Sequence, residues 1–533
     1  MNASPARTHE ITRRPRGLEV IPAILAIGVC IGACGLMLIG VVRALTATGG
    51  GELPTSDGWV GTLASTIGVS LLIGTLATLA ALGPAWAMRR LKPRMIGLVC
   101  APLLLPTYLV YAAWNLFRAP GSAIGDRLAE MPMLDGIVGD GIAVGGLALW
   151  AWPLAAILIG SQARRIDESV LDALRMAEVG RLRRLAVVFG LLRTSIIGSI
   201  GLITLMMLGS AVPLHVAQVE TYSIRIWRML DESGGGPAAW RAAMPLLAVG
   251  VLGGWIVSSR LLRLSETTAS SDATGPNRMS RPAAATMGIV WCLSVLVPLV
   301  LFVVSIREAS SLVRFWPTVG PALKDSLVVA CVVSSIGLMI TAGTAIGLSS
   351  PRGSWLRRLS AWSLRCWLIG ALIPGVLVGQ ALVHTGALDG FRWLIDTSAG
   401  VGVAHLLRFG AVAAIVGWWI AWAEPQALRD ARQLFGGTRW RAWLATSGRL
   451  EAGAIAGGAI AIGLLSLHEI ESAVMLMPPG EDMLSRRVLS MLHFLRDEEL
   501  TATAIYLLVG GILCAGAAGA VAGRTAEMMN PST

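Results

Sequence analysis

The side chains that could do chemistry in this sequence are a few ionisable groups inside long apolar runs. His468, Glu469 and Glu471 come late in one run, and Arg193 and Arg408 lie in two others. Ionisable groups at membrane depth are costly and often functional. His468, Glu469 and Glu471 are candidates for the lining of a translocation pathway, in which Glu469 would attract a cationic substrate. Glu469 paired with an arginine or placed at the membrane interface would instead be a structural acid. The sequence leaves both roles open.

Covalent catalysis and metal binding have little support in the residue pattern. Neither a GxSxG nor an HExxH motif occurs. Four further histidines are isolated in sequence, which favours ordinary core or interfacial positions: His215, His384, His405 and His493. The seven cysteines show no metal-type spacing. We therefore expect no catalytic residue, no metal ion and no cofactor in this chain.

Helices that cross a membrane must position these side chains. Hydrophobic residues make up 55% of the 533 residues and charged residues only 14%, an apolar excess beyond the needs of a water-soluble core. A span needs about 20 apolar residues. Runs of this kind start near Leu18, Trp59, Met95, Ile137, Val187, Trp240, Ala285, Ala322, Ala361, Ala399, Ala452 and Thr501. The sequence thus predicts an all-α integral membrane protein with about twelve transmembrane helices, the first retained rather than cleaved as a signal peptide.

The basic residues indicate the orientation of the spans. Arginine and lysine are enriched in cytoplasmic loops, and most basic clusters fall on one side if both termini are cytoplasmic. The first loop on the other side, residues 46–58, has no basic residue. The net charge of +11 is therefore mainly a topology signal, and nucleic-acid binding is a poor interpretation of it.

The chain divides in the middle into two six-span halves. Residues 264–286 have the Ser, Thr, Ala and Pro content of a cytoplasmic linker, between an N-terminal half, residues 1–263, and a C-terminal half, residues 287–533. "GSAVPLHVAQVETYSIRIWRML" from Gly209 and "ESAVMLMPPGEDMLSRRVLSML" from Glu471 match at a constant offset. Because six is even, both halves have the same orientation, which predicts parallel repeats with a substrate path between them.

Each half also carries a polar, helix-prone cytoplasmic stretch at the matching place. The first is "DESVLDALRMAEVGRLRRLAVVFGLLRTS" from Asp167, and the second is "EPQALRDARQLFGGTRWRAWLATSGRLEAG" from Glu424. A short helix on the membrane face, opened by an acid at its positive end, could dock in a cleft of a cytoplasmic ATPase.

The second stretch resembles the EAA loop of permease subunits in binding-protein-dependent ABC importers. The resemblance rests on Asp430, Ala431, Gly436, Gly437, Arg439 and Trp440. The first stretch matches more loosely, with Asp172 and Ala173 at the Glu-Ala position, Glu178 in place of the glycine, and then Gly180 and Arg181. "LSLHEIESAVMLMPPG" from Leu465 is similar to a late-span segment of fused ferric-iron-type and thiamine-type permeases.

This resemblance implies the permease component of a type I ABC importer in a bacterial plasma (inner) membrane. Two copies of a cytoplasmic ABC ATPase, which bind ATP and Mg, would act on the two coupling helices. An extracytoplasmic solute-binding protein would deliver ferric iron or a similar small cationic solute, with thiamine, a polyamine or an oxyanion left open. The only lysines, Lys92 and Lys324, do not belong to a P-loop, so ATP hydrolysis is expected on the partner subunits.

The alternative is an ion-gradient-driven secondary transporter with parallel repeats. In that case the polar loops are only topology signals, and Glu469 or Glu471 binds the coupling ion. A membrane-embedded structural protein is a more distant third. The duplicated cytoplasmic stretch separates the hypotheses, because a gradient-driven carrier does not require it.

Overall fold

A computed structural model describes residues 20–47, 58–119, 122–177, 180–232, 234–264, 280–350, 353–424, 428, 447–493 and 497–529. Within these ranges all regular structure is helical, and ten helices are long and apolar enough to cross a membrane, or eleven if one bent pair is counted as a span. The prediction of an all-α, multi-pass membrane protein is confirmed.

The helices before residue 265 alternate between long spans and short segments. In order they are α1 (Val20–Thr46), α2 (Trp59–Met88), α3 (Ile96–Val99), α4 (Thr107–Asn115), α5 (Ala123–Ala129), α6 (Pro132–Arg164), α7 (Glu168–Met176), α8 (Arg181–Leu208), α9 (Val212–Val216), α10 (Tyr222–Glu232) and α11 (Pro237–Leu264).

The helices after residue 279 follow a similar order. They are α12 (Arg281–Trp291), α13 (Val297–Ser305), α14 (Ser310–Thr318), α15 (Gly320–Leu348), α16 (Trp355–Leu372), α17 (Gly375–Gly386), α18 (Trp393–Asp396), α19 (Ala399–Ala423), α20 (Arg449–Leu467), α21 (Ala473–Leu476), α22 (Leu484–His493) and α23 (Asp497–Met529). A π-helical turn, Cys292–Leu296, joins α12 to α13. Because α12 starts at Arg281, the last residues of the stretch expected as linker are helical.

Two of the twelve expected spans are not continuous helices. The run near Met95 is divided into 3₁₀ turns at Pro93–Met95 and Ala101–Leu104 and the short helices α3 and α4. The run near Ala361 is the bent pair α16 and α17, whose axes differ by 107°. Proline removes a backbone donor and pushes the preceding residue out of the helical region. Leu105 before Pro106 and Ile373 before Pro374 are accordingly extended.

The two sets of helices exchange contacts across their boundary. The first helix of each set packs against the other set, α1 against α15, α16 and α17, and α12 against α2. The late spans do the same, since α11 packs on α16 and α23 packs on the broken segment at Pro93–Leu104. Within each set, α2 packs on α6 and α8, and α15 packs on α19 and α20. One hydrophobic core therefore runs through both sets, with Trp152, Trp240 and Trp367 fully buried in it.

Corresponding hydrogen bonds begin the amphipathic helices α10 and α22. The backbone N–H of Tyr222 donates to Thr66 Oγ1 on α2 at 2.8 Å. The backbone N–H of Leu484 donates to Ser326 Oγ on α15 at 2.9 Å. The first N–H groups of a helix have no partner within the helix, so in both sets a hydroxyl of a neighbouring span supplies the acceptor.

Candidate functional site

Four helix breaks meet inside the bundle, two from each set of helices. They are residues 104–106 before α4, 209–211 before α9, 373–374 before α17 and 468–472 before α21. His468 Nε2 lies 3.1 Å from the Leu104 carbonyl oxygen, and a Cβ built on Gly209 would lie 3.4 Å from Pro374 Cα. We call the place where these four breaks meet the seam. Broken helices free backbone groups that need partners in an apolar surrounding, and side chains of the seam supply them.

Arg408 is the cation of the seam. It stands nine residues after the start of α19, roughly 13 Å along that helix. Its Nη1 donates to the Ile373 carbonyl at 3.1 Å, and its Nη2 donates to Glu471 Oε2 at 3.2 Å. Its Nε lies 3.6 Å from Glu469 Oε1. One guanidinium thus joins two carboxylates to the break at residues 373–374.

Glu471 links Arg408 to the other set of helices. Its Oε1 accepts hydrogen bonds from the backbone N–H groups of Ala211 at 2.7 Å and Val212 at 3.3 Å. These groups open α9 and would otherwise be buried without acceptors. The residue is 5% exposed, so this contact crosses the boundary away from bulk water.

Glu469 is held mainly by its own loop. Its Oε1 accepts from the backbone N–H and the hydroxyl of Ser472, both at 3.1 Å, and it is 8% exposed. Among Arg408, Glu469 and Glu471, two negative charges face one positive charge. Burying an uncompensated charge is strongly unfavourable, so this surplus must be met either by a further positive charge or by a proton on one of the carboxylates.

Gly375 allows the two carboxylates to come together. A Cβ at this position would lie 2.7 Å from Glu471 Cβ and 3.0 Å from Glu469 Oε1. Such contacts are closer than a side chain tolerates in a packed interior. The first residue of α17 therefore has to lack a side chain for the seam to take this form.

Two polar residues of the seam were not grouped with its acids by sequence. His405 Nδ1 lies 2.7 Å from Ser466 Oγ, while its buried Nε2 has no hydrogen-bond partner among the described residues. Within the same part of the chain, the buried hydroxyl of Tyr108 on α4 also has none. Both residues lie within electrostatic range of Glu469. The signals were the three-residue spacing of His405 from Arg408 and the position of Tyr108 just after Pro106.

The remaining ionisable candidates lie elsewhere. Arg193 is exposed on α8, 16 residues before the break at residues 209–211. The rings of His215 and His493 stack with their centroids 6.5 Å apart, so these two, isolated in sequence, are neighbours in space. His384 Nε2 lies 3.0 Å from the Gly235 carbonyl oxygen. Of the residues predicted for the pathway, the seam brings His468, Glu469 and Glu471 together with Arg408.

Only part of the predicted coupling stretches is described. Asp172 and Ala173 are exposed on α7, and Gly180 and Arg181 stand at the start of α8. The other residues of this prediction lie outside the described ranges: Glu178, Asp430, Ala431, Gly436, Gly437, Arg439 and Trp440.

The start of α7 is fixed to the bundle by a cluster of arginines. Glu168 pairs with Arg89 at 3.4 Å and also with Arg90, and Arg89 donates to the Ile166 carbonyl at 3.0 Å. Arg164, the last residue of α6, donates to the Met88 carbonyl. Burial lowers the pKa of Arg89 while Glu168 raises it, and an arginine stays charged in either case. The start of α7 is therefore bonded to the ends of α2 and α6.

No family model, curated protein or solved structure matches this chain. Among the residues that the structure describes, no group of three or more His, Cys, Asp or Glu side chains is arranged to hold a metal ion. The seam and α7 are therefore the features of the chain that bear on function.

Proposed function

We propose that this chain is the transmembrane permease of an ATP-driven importer of the type I ABC class. It would form the translocation pathway for a small solute and hydrolyse no ATP itself. The reciprocal packing of the two sets of helices carries the proposal, because equivalent elements from both sets meet at one seam.

The seam has the features of a transport pathway between two parallel repeats. Substrate sites of such transporters lie where the repeats meet and are built from interrupted helices. Here the breaks before α4 and α17 correspond, as do those before α9 and α21, and they meet around three charged side chains. Separating the repeats would open this region, and the contacts of Glu471 with Ala211 and Val212 would have to break.

The attachment of α7 supports coupling to a cytoplasmic partner. An exposed amphipathic helix between two spans could be only a solvated loop. The pairs of Glu168 with Arg89 and Arg90 instead tie it to α2, which packs along α6 and α8. A protein that pushed α7 would move those spans together.

The partners follow from this assignment. Two ABC ATPases would bind at α7 and at the corresponding stretch around Asp430 to Arg441, and ATP and Mg would be held by them. An extracytoplasmic solute-binding protein would bind on the opposite side. The chain would lie in a bacterial inner membrane with both termini cytoplasmic.

A gradient-driven carrier is the second candidate, and the buried carboxylates of the seam favour it. Intramembrane acids pair with cations and often mark ion or proton pathways. Glu469 and Glu471 near Arg408 fit that description. In this case α7 would have no ATPase partner.

Co-purification tests the proposal. The wild type, an Asp172→Arg variant and an Asp430→Arg plus Gly436→Arg variant are isolated and probed for a stoichiometric ATPase. Asp389→Arg serves as the control, because Asp389 is exposed in the loop before α18, outside both stretches. We expect the partner to bind wild type and control and to be lost from the other two.

ATP-dependent uptake by liposomes containing the complex is the second measurement. Solute uptake that needs ATP, and that is lost in the two test variants but not in the control, would support an importer. Uptake driven by a proton or sodium gradient, with no ATPase bound to the wild type, would contradict it and favour the carrier.

A further inference from the structure

The charge count of the seam leaves room for one more cation. Arg408 balances one of the two carboxylates through its 3.2 Å contact with Glu471. Glu469 is 3.6 Å from Arg408 Nε and otherwise bonds to neutral groups of Ser472. Glu469 is therefore the carboxylate whose charge is less completely matched.

Two further polar atoms of the seam are available to a ligand. His405 and Tyr108 are 4% and 3% exposed, and neither His405 Nε2 nor Tyr108 Oη has a hydrogen-bond partner in the part of the chain that the structure describes. A buried polar atom without a partner costs about as much as a lost hydrogen bond. Two such atoms within electrostatic range of one carboxylate are consistent with a site that is completed by a ligand.

The chemistry of these atoms selects the ligand. If His405 Nδ1 carries the proton and donates to Ser466, its Nε2 is an acceptor, and the Tyr108 hydroxyl oxygen can also accept. All hydrogen bonds described for Glu469 end on Oε1, which leaves Oε2 for a ligand. The site therefore presents three acceptors and one negative charge. A primary ammonium group carries three N–H donors and one positive charge.

We infer that the seam binds a solute through one primary ammonium group, held by Glu469, His405 and Tyr108. This rests on the proposed function, in which the seam is part of the pathway, and it names the class of solute. Glu471 and Arg408 keep their own pair, so binding brings the cluster to two negative and two positive charges. The site is closed in this conformation, and the solute enters when the repeats separate.

Thermal unfolding of the full-length chain in nanodiscs of zwitterionic lipid tests the inference. The probes are n-butylammonium, n-butanol of similar shape without charge, and tetramethylammonium, which has charge but no N–H donor. We expect n-butylammonium to raise the unfolding temperature in a saturable way and the other two to have no such effect. Equal shifts with tetramethylammonium would overturn the assignment of N–H donors.

Three variants locate the site. Glu469→Gln should abolish the shift, and Tyr108→Phe should raise the concentration needed for half the shift by about tenfold, the loss of one hydrogen bond. Glu308→Gln is the control, a carboxylate paired with Arg314 near α14 and outside the seam. Size-exclusion profiles check folding, and Tyr108→Phe keeps the test decisive should Glu469→Gln not fold.

Other outcomes would contradict the inference. A shift that persists in Glu469→Gln or in Tyr108→Phe at unchanged concentration places the amine elsewhere. Stability that depends on pH through Glu469 but not on the amine means that a proton supplies the extra charge. The measurement uses no ATPase and no ATP, so amine binding without an ATPase partner would refute the importer alone, and an ATPase partner without amine binding would refute this inference alone.

Discussion

At the residue scale, the seam depends on matched charges and on the space left for them. Arg408 reaches both carboxylates and a backbone carbonyl because a guanidinium offers five donors in a rigid plane, which a lysine cannot reproduce. Glu471 completes the connection to Ala211. The absence of a side chain at Gly375 is equally necessary, since it keeps the volume open.

Substitution of Gly375 by alanine should destabilise the protein. The added methyl group would contact Glu471 Cβ at 2.7 Å, and overpacking of this kind typically costs about 1 to 3 kcal/mol. Thermal unfolding in detergent measures the effect. The matched control is Gly61→Ala on α2, where no described residue lies within 4 Å of the added Cβ. A Gly375→Ala variant as stable as the control would show that the carboxylates do not approach each other this closely.

The sequence identified some residues of the seam and not others. Glu469, Glu471 and Arg408 stood out because a charge in an apolar run is rare, and this does not depend on the fold. Tyr108 and His405 did not, because an aromatic residue or a single histidine in a span is usually ordinary packing. The role proposed for them depends on α4 and α19 lying within electrostatic range of Glu469 in the loop before α21. Hydrophobic periodicity does not report such an arrangement of sequence-distant segments.

At the element scale, prolines convert two expected spans into broken segments. Pro106 and Pro374 were visible in the sequence, but hydropathy averaged over about 20 residues hides a local break. The length and apolar character of the other ten spans were predictable because they depend on composition alone. The packing of α1 and of α12 against the opposite set of helices was not predictable, since it depends on which helix surfaces fit together.

Removal of the paired hydroxyls should have similar effects in both sets of helices. In Thr66→Val the N–H of Tyr222 loses its acceptor, and in Ser326→Ala the N–H of Leu484 loses its acceptor. An unsatisfied buried donor costs about 1 to 3 kcal/mol, so each variant should lower the unfolding temperature. Thr75→Val is the control, because within the described ranges its hydroxyl bonds only to the Leu71 carbonyl of its own helix. A lower unfolding temperature in only one of the two variants would argue against equivalent roles for α10 and α22.

At the scale of the whole molecule, neither set of helices is a separate bundle. The first helix of each packs on the other, and the core is shared. Each half alone would expose the surfaces that α1 and α12 cover. The joint between the halves is therefore a part of the fold and also the place where a pathway would open.

Expression of the halves as separate chains tests whether the two halves share one core. Residues 1–264 and 280–533, produced together with different tags, should co-purify as one complex, whereas either piece alone should aggregate or be degraded. The comparison is a co-expression of two differently tagged copies of residues 1–264, which lack the surfaces for α1 and should not form a stable pair. A monodisperse single half would contradict the shared core.

The position of Glu471 has a consequence for symmetry. At the corresponding place in the first half, before the shared Ser-Ala-Val, stands Gly209. Two identical subunits around a twofold axis must place equal groups at equivalent positions, so they would bring either two such acids or none to their common axis. Joining the halves in one chain removes that constraint. One half can then carry an acid where the other half has none. A polypeptide of this kind can offer a single oriented binding place where a symmetric dimer could offer only matched pairs.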